Sequence, residues 1–131
     1  MDLDHLGIAV TGLEPAVARW RTLLGEPEGP PEEVVAQGVR VMFLAAGQVG
    51  VELLEPTRPE SSVGRFLARR GEGLHHLAFR VPSVDRALEE LLGRGEQVVD
   101  RVGRPGARGR RVGFAHPSAF GGVLVEFVEK P

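Results

Sequence analysis

Gly73-Leu74-His75-His76-Leu77-Ala78-Phe79-Arg80-Val81 is a short, strand-like run that carries two adjacent histidines. Neighbouring side chains of a strand point to opposite faces, so His75 and His76 cannot both serve one site. A second copy of the pattern decides between them. Leu3-Asp4-His5-Leu6-Gly7-Ile8-Ala9-Val10 lies over Leu74–Val81, which puts His5 on His76 and Asp4 opposite His75. His76 has a counterpart and His75 has none. His76 is therefore the functional candidate and His75 the structural one.

The repetition extends outward from these strands. Behind Thr11 and Glu14, which have capping-box spacing, Leu13, Ala16, Val17, Trp20, Leu23 and Leu24 recur at helical intervals up to Gly25. Trp20 falls on the apolar face and is read as core. Ser83 opens a matching helix with Val84, Ala87, Leu88, Leu91 and Leu92 on one face and Gly95 just beyond it. The first helix is followed by a proline-rich loop at 26–33 and short strands at 34–36, 39–45 and 49–54. The second is followed by strands at 97–99, 111–115 and 123–128, with a loop at 103–109. Between the halves, Ser61 or Ser62 caps a short helix carrying Val63, Phe66 and Leu67 and ended by Gly71. The order is strand, helix, three strands, used twice. The expected organisation is one α+β domain over 1–131, with module 1 at about 1–56, a linker helix at about 60–71 and module 2 at about 73–131.

The repeat also pairs each histidine with a glutamate. Val51-Glu52-Leu53-Leu54-Glu55 lies over Val125-Glu126-Phe127-Val128-Glu129. Glu52 and Glu126 sit inside apolar strands, where a charge needs a partner. Glu55 and Glu129 are read as rim residues. Pseudo-twofold symmetry would bring two imidazoles and two carboxylates to a common axis. That is a good donor set for a divalent transition metal, with positions left for water or substrate. Taken singly, each residue is more often a surface group than a ligand. The matched recurrence of all four favours the metal site, while the sequence leaves the metal open.

Composition narrows the class of protein. The chain has 131 residues, 42% of them hydrophobic and 26% charged, as in an ordinary globular protein. A formal charge of −2 gives no basic field for nucleic acid. There is no cysteine, which excludes disulfides, thiolate nucleophiles and thiolate zinc sites. Met1-Asp2-Leu3-Asp4 is not the start of a signal peptide, and no apolar run approaches the ~20 residues of a membrane span. A cytoplasmic protein without membrane partners is expected.

Three stretches carry a family resemblance: Val51-Glu52-Leu53-Leu54-Glu55-Pro56, Gly73–Ala78, and His116-Pro117 followed by Gly121-Gly122-Val123-Leu124-Val125-Glu126. With the paired modules, they resemble the vicinal-oxygen-chelate (glyoxalase-like) superfamily and, within it, the methylmalonyl-CoA epimerases. The resemblance covers nearly the whole chain. It implies a curved, half-open mixed sheet around a metal site, with His5, Glu52, His76 and Glu126 as ligands of one divalent ion (cobalt, manganese, nickel, magnesium or zinc). It implies a homodimer acting on a small acyl-CoA substrate of propionate metabolism. The implied reaction interconverts (R)- and (S)-methylmalonyl-CoA by proton transfer at C2 through a metal-stabilised enolate.

The resemblance makes Glu126 one catalytic base, and symmetry makes Glu52 the other. Two positions depart from the family pattern. Aligned on Gln37-Gly38-Val39, Val41 stands where some members carry a glutamate base, and Ser118 stands where lysine often follows His-Pro. Arg101, Arg104, Arg108, Arg110 and Arg111 crowd one loop-rich stretch. Arginine suits phosphate geometry, so Arg104 and Arg108, with His116, are the candidate contacts to coenzyme A. A solvated loop and a turn-capping histidine are the competing readings. Two other functions share the fold: a glyoxalase I-type isomerase of glutathione hemithioacetals, and a non-catalytic small-molecule-binding protein.

Overall fold

The computed structural model describes residues 1–129. The chain forms two compact units, residues 5–75 on the one hand, and Met1–Asp4 with the chain from His76 onward on the other. The unit boundary falls immediately before each of the two repeated histidines. The fold is α+β, and each βαβββ module supplies a mixed half-sheet with a helix on one face.

The first module contains β1 (Leu3–Ala9), α1 (Leu13–Leu24), β2 (Glu32–Val34), β3 (Val39–Ala46) and β4 (Val49–Pro56). Its strands run in the order β2-β3-β4-β1, with β1 parallel to β4 and the other pairs antiparallel. Alternation along β4 sends Val51 and Leu53 to the helix side. There they meet Val10, Leu13, Ala16, Val17 and Leu44, with Trp20 and Leu24 packed against the cluster. Burying each such aliphatic side chain stabilises the module by about 1.5–3 kcal/mol.

The Thr11–Glu14 capping box does not form. Gly12 occupies the N-cap position of α1 and makes no side-chain cap. Carboxylates from elsewhere take over the first N–H groups. Glu55 accepts from Leu13 N at 2.9 Å, and Glu72 accepts from Thr11 N at 2.8 Å and from its hydroxyl at 3.0 Å. Glu14 turns to Arg40 instead, at 3.0 Å. Glu55 lies three residues beyond Glu52, hence on the opposite strand face and beneath the helix. The linking helix α2 (Ser62–Arg70) starts where expected, with Ser61 accepting from Gly64 N at 3.0 Å.

The second module contains β5 (Gly73–Val81), α3 (Val84–Gly93), β6 (Arg104–Pro105), β7 (Arg111–Ala115) and β8 (Val125–Glu129). Its strand order is β5-β8-β7-β6, with β5 parallel to β8. Val84, Leu88 and Leu91 of α3 pack on Val81, Ala115, Val125 and Phe127. Ser83 caps the helix, accepting from Arg86 N at 3.2 Å. Gly113 on β7 lets α3 approach: a Cβ there would lie 2.8 Å from Val84 Cγ1 and 2.9 Å from Leu88 Cδ1.

The strand expected at 97–99 reduces to a single bridge between Val98 and Ala115. The outer strand is instead β6, inside the stretch read as loop. Among the described residues no helix is long and apolar enough to cross a membrane.

Two predictions follow from this packing. Gly113→Val should push α3 off the sheet and cost about 1–3 kcal/mol, read from denaturant midpoints. A substitution that leaves the midpoint in place would show that the helix is not seated on β7. The second concerns acid. The Gly103 N–H at 2.7 Å and the Arg111 guanidinium at 2.9 Å hold the Asp85 carboxyl below its ordinary range. The Thr11 N–H and hydroxyl do the same for Glu72. A depressed folded pKa adds stability that is complete above the unfolded pKa and lost as pH falls through the folded one. The Asp85→Asn/Glu72→Gln variant should therefore lose less stability than wild type on acidification below the ordinary carboxylate range. Parallel acid unfolding curves would refute this.

Candidate functional site

The repeated histidine and glutamate meet within each unit. Parallel pairing of β1 with β4 puts Gly7 opposite Glu52, and antiparallel pairing of β3 puts Phe43 opposite Glu52 from the other side. His5 is two residues before Gly7 and so shares its face. Gly7 has no side chain to fill the space between them, and His5 Nε2 lies 3.1 Å from Glu52 Oε1. The Phe43 ring meets the imidazole edge-on, with centroids 5.6 Å apart and an interplanar angle of 87°.

The second unit repeats this arrangement residue for residue. Ala78 and Phe114 flank Glu126 on β5 and β7. His76 Nε2 lies 3.2 Å from Glu126 Oε1, and Phe114 meets His76 edge-on at 5.5 Å and 85°. The side chains of both pairs are almost wholly buried, 6% and 6% exposed in the first and 1% and 5% in the second.

Each of the four side chains offers one imidazole nitrogen or carboxylate oxygen to a metal ion. The donor chemistry fits a divalent cation. Neutral imidazoles and ionised carboxylates suit the borderline and harder first-row ions, and two carboxylates balance the charge of one such ion. Phe43 and Phe114 were not anticipated from the sequence. Their signal was present, since Phe43 lies as far beyond His5 as Phe114 lies beyond His76.

The neighbouring residues separate by strand face. His75 turns to the opposite side, with Nε2 3.1 Å from Ser62 Oγ and its ring edge-on to Phe66 at 5.2 Å. Its structural role stands. Val41 is buried, at 1% exposure, opposite Glu32 and Leu54. It places aliphatic surface, not a carboxylate, at that position. Glu55 is engaged with α1 and with Arg40, whose Nη1 lies 2.8 Å away. Glu129 accepts through its carbonyl from Arg110 and lies 3.6 Å from Arg111 through its carboxylate.

Within the arginine-rich stretch Arg101, Arg108 and Arg111 are exposed and Arg104 and Arg110 half-buried, and Arg104, Arg110 and Arg111 pair with carboxylates. Arg110 binds the buried Asp4 at 2.9 Å, beside Arg80 at 2.8 Å on the same oxygen. Arg111 binds Asp85 with both carboxylate oxygens at 2.9 Å. Arg104 pairs with Asp100 at 3.2 Å and lies over the Phe114 ring. Arg108 adopts φ 62°, in the left-handed region. His116 caps the 3₁₀ turn at Pro117–Phe120, its Nδ1 accepting from Ser118 N at 3.0 Å.

Comparison with known proteins agrees with this arrangement. Residues 4–114 match the Glyoxalase/Bleomycin resistance protein/Dioxygenase superfamily. The chain is 40% identical to the uncharacterised protein YqjC of Bacillus subtilis, over 97% of this chain and 91% of that protein. It is 37% identical to an ethylmalonyl-CoA/methylmalonyl-CoA epimerase of Cereibacter sphaeroides, over 95% and 94% of the two chains. A solved methylmalonyl-CoA epimerase in complex with methylmalonyl-CoA and NH4+ superposes with a TM-score of 0.90 at 38% identity, covering 98% of this chain and 93% of that one. The chain belongs to the Glyoxalase/Bleomycin resistance protein/Dioxygenase superfamily and, within it, to the methylmalonyl-CoA epimerase family.

Proposed function

We propose that the chain epimerises methylmalonyl-CoA at C2, with one divalent ion shared by His5, Glu52, His76 and Glu126. The observation that carries this is the duplicated, buried His–Glu pair, each with a small residue and a phenylalanine in register, in a chain of the epimerase family. Its relatives support the substrate: the Cereibacter protein is named for epimerising ethylmalonyl-CoA and methylmalonyl-CoA, and the solved relative holds methylmalonyl-CoA. Cobalt, manganese, nickel, magnesium and zinc all accept imidazole or carboxylate ligands, and metal analysis of the purified protein decides among them. A cytoplasmic homodimer belongs to the same proposal, with sedimentation as its test.

The C–H bond at C2 lies between a thioester and a carboxylate and is weakly acidic. Inverting the centre requires a proton to leave one face and return to the other. When bound, the ion supplies Lewis-acid stabilisation of negative charge developing on the thioester oxygen. The chain supplies the proton carriers. Glu126, ionised, would take the C2 proton on one face, and Glu52, its repeat counterpart, would enter protonated and give its proton to the other face. The two thus exchange protonation states in each turnover, and the one that acts is not held tightly by the ion. Val41 cannot carry a proton, so the second role falls to Glu52. Phe43 and Phe114 pack edge-on against the imidazoles and help to fix their orientation. Arg108 and His116 are left for contact with coenzyme A.

The decisive assay incubates the metal-loaded protein with methylmalonyl-CoA in D₂O and follows deuterium entry at C2. The glutathione hemithioacetal of methylglyoxal is assayed in parallel. Turnover of the second compound alone would overturn the proposal. Glu126→Gln should lower exchange by about 10²–10⁴-fold while leaving circular dichroism unchanged. Near-normal exchange would remove Glu126 from the chemistry. Chelation should abolish exchange and lower the unfolding midpoint. Restoring the ion at ~100 times its Kd should return about 2.7 kcal/mol. A midpoint indifferent to chelator and metal would mean that the four side chains hold no ion.

A further inference from the structure

The sequence predicts a strand at 97–99 where the fold has only the bridge at Val98, and an aspartate accounts for the difference. The carbonyl of Phe114 accepts from Val99 N at 2.9 Å and from Asp100 N at 3.2 Å. The N–H of Phe114 then donates to the Asp100 carboxylate at 2.9 Å. A side-chain oxygen thus does what a neighbouring strand's carbonyl would do, and it fixes Phe114 from the edge of the sheet. The other Asp100 oxygen lies 3.2 Å from Arg104 Nε, and Arg104 Cζ sits 5.8 Å from the centroid of the Phe114 ring. The ring is held by its backbone on one side and covered by a guanidinium on another. The ring also meets His76 edge-on, and the register partner of Phe114 is Glu126.

We propose that Asp100 and Arg104 form a brace behind Phe114 that fixes the His76 imidazole for metal binding. They are positioning residues, since neither is a ligand and both act through Phe114. The proposal rests on the metal-binding reading above and deepens it. It also reassigns Arg104. Its Nε faces Asp100 and its Cζ lies over the Phe114 ring, so its effect should appear in metal affinity and not in recognition of coenzyme A. A cation over an aromatic face is attracted by the ring quadrupole, and an ion pair at 15% and 32% side-chain exposure is partly shielded from water. Both features favour one fixed geometry over a mobile arm.

The test is titration of the metal-free protein with Co²⁺, followed by its visible absorption, which reports ligand geometry as well as occupancy. Three variants separate the contributions. Arg104→Met keeps the aliphatic stem and removes the cation, Arg104→Lys restores a cation, and Asp100→Asn keeps the shape of the side chain but removes its charge. Outer partners of metal ligands commonly contribute 10–100-fold in affinity. The expected result is Co²⁺ binding weakened by about 10-fold or more in Arg104→Met and Asp100→Asn, with a changed absorption band. Arg104→Lys should recover most of the loss, and the thermal midpoint of the metal-free protein should stay near wild type in all three. At saturating metal, KM for methylmalonyl-CoA should be unchanged in Arg104→Met.

Unchanged Co²⁺ affinity and spectrum in Arg104→Met would overturn the brace. So would a raised KM with unchanged metal affinity, which would return Arg104 to the coenzyme. Failure of the wild-type chain to bind Co²⁺ is a different outcome, since it overturns the metal-binding reading itself and the brace with it.

Discussion

Two carboxylates inside apolar strands are the constraint on which the rest of the structure depends. Glu52 and Glu126 are each 4% exposed. Burying an ionised carboxylate costs several kcal/mol unless its charge and lone pairs are met. The neighbours of both are those that reduce this cost. A glycine or alanine on the parallel strand leaves room, an imidazole two residues away reaches the carboxylate, and a phenylalanine opposite packs edge-on against that imidazole. Imidazole and carboxylate are also donor groups that suit a divalent cation. A fold that needed only stability would do better with aliphatic residues in these rows. The duplicated expense is what supports reading these residues as a site.

Strand periodicity keeps this site apart from the cores. On β4, Val51 and Leu53 face α1, while Glu52 faces the other way, and a one-residue slip would exchange them. The same alternation gives Glu55 its separate role beneath the helix. One strand thus places a carboxylate in the site and another at the N-terminus of α1, where the exposed N–H groups favour negative charge. The second module uses the same division, with Val125 and Phe127 under α3 and Glu126 beside His76.

Both the buried His–Glu pairs and the double βαβββ order were legible because they recur. Register is information that a single strand does not carry, and His5 over His76 supplied it. Features that belong to one module alone were harder to read. Thr11 and Glu14 have the spacing of a capping box, yet Glu55 and Glu72, distant in sequence, take the N–H groups first. Local spacing cannot anticipate a partner that the fold delivers. Gln97–Val99 looks like a strand by composition, but its pairing ends at the Val98 bridge, where the side chain of Asp100 takes the Phe114 N–H that a continuing strand would use. The arginines of 101–111 read as a mobile basic clamp because their acidic partners, Asp4, Asp85 and Asp100, lie in other segments or one turn away.

The residues before the two glutamate-paired histidines show what a repeat must keep and what it need not. Asp4 and His75 hold equivalent positions, on the strand face opposite the His–Glu pairs. Their chemistry has nothing in common. Asp4 receives two arginines, while His75 rests between a serine hydroxyl and the edge of Phe66. Each is buried, and burial asks only that polar atoms be met by whatever the local surroundings offer. The face of the His–Glu pairs asks for more, because imidazole, carboxylate, small residue and aromatic must all fall in register for either pair to form. That difference in demand is why His75 and His76, adjacent in the chain and alike in type, have unrelated surroundings.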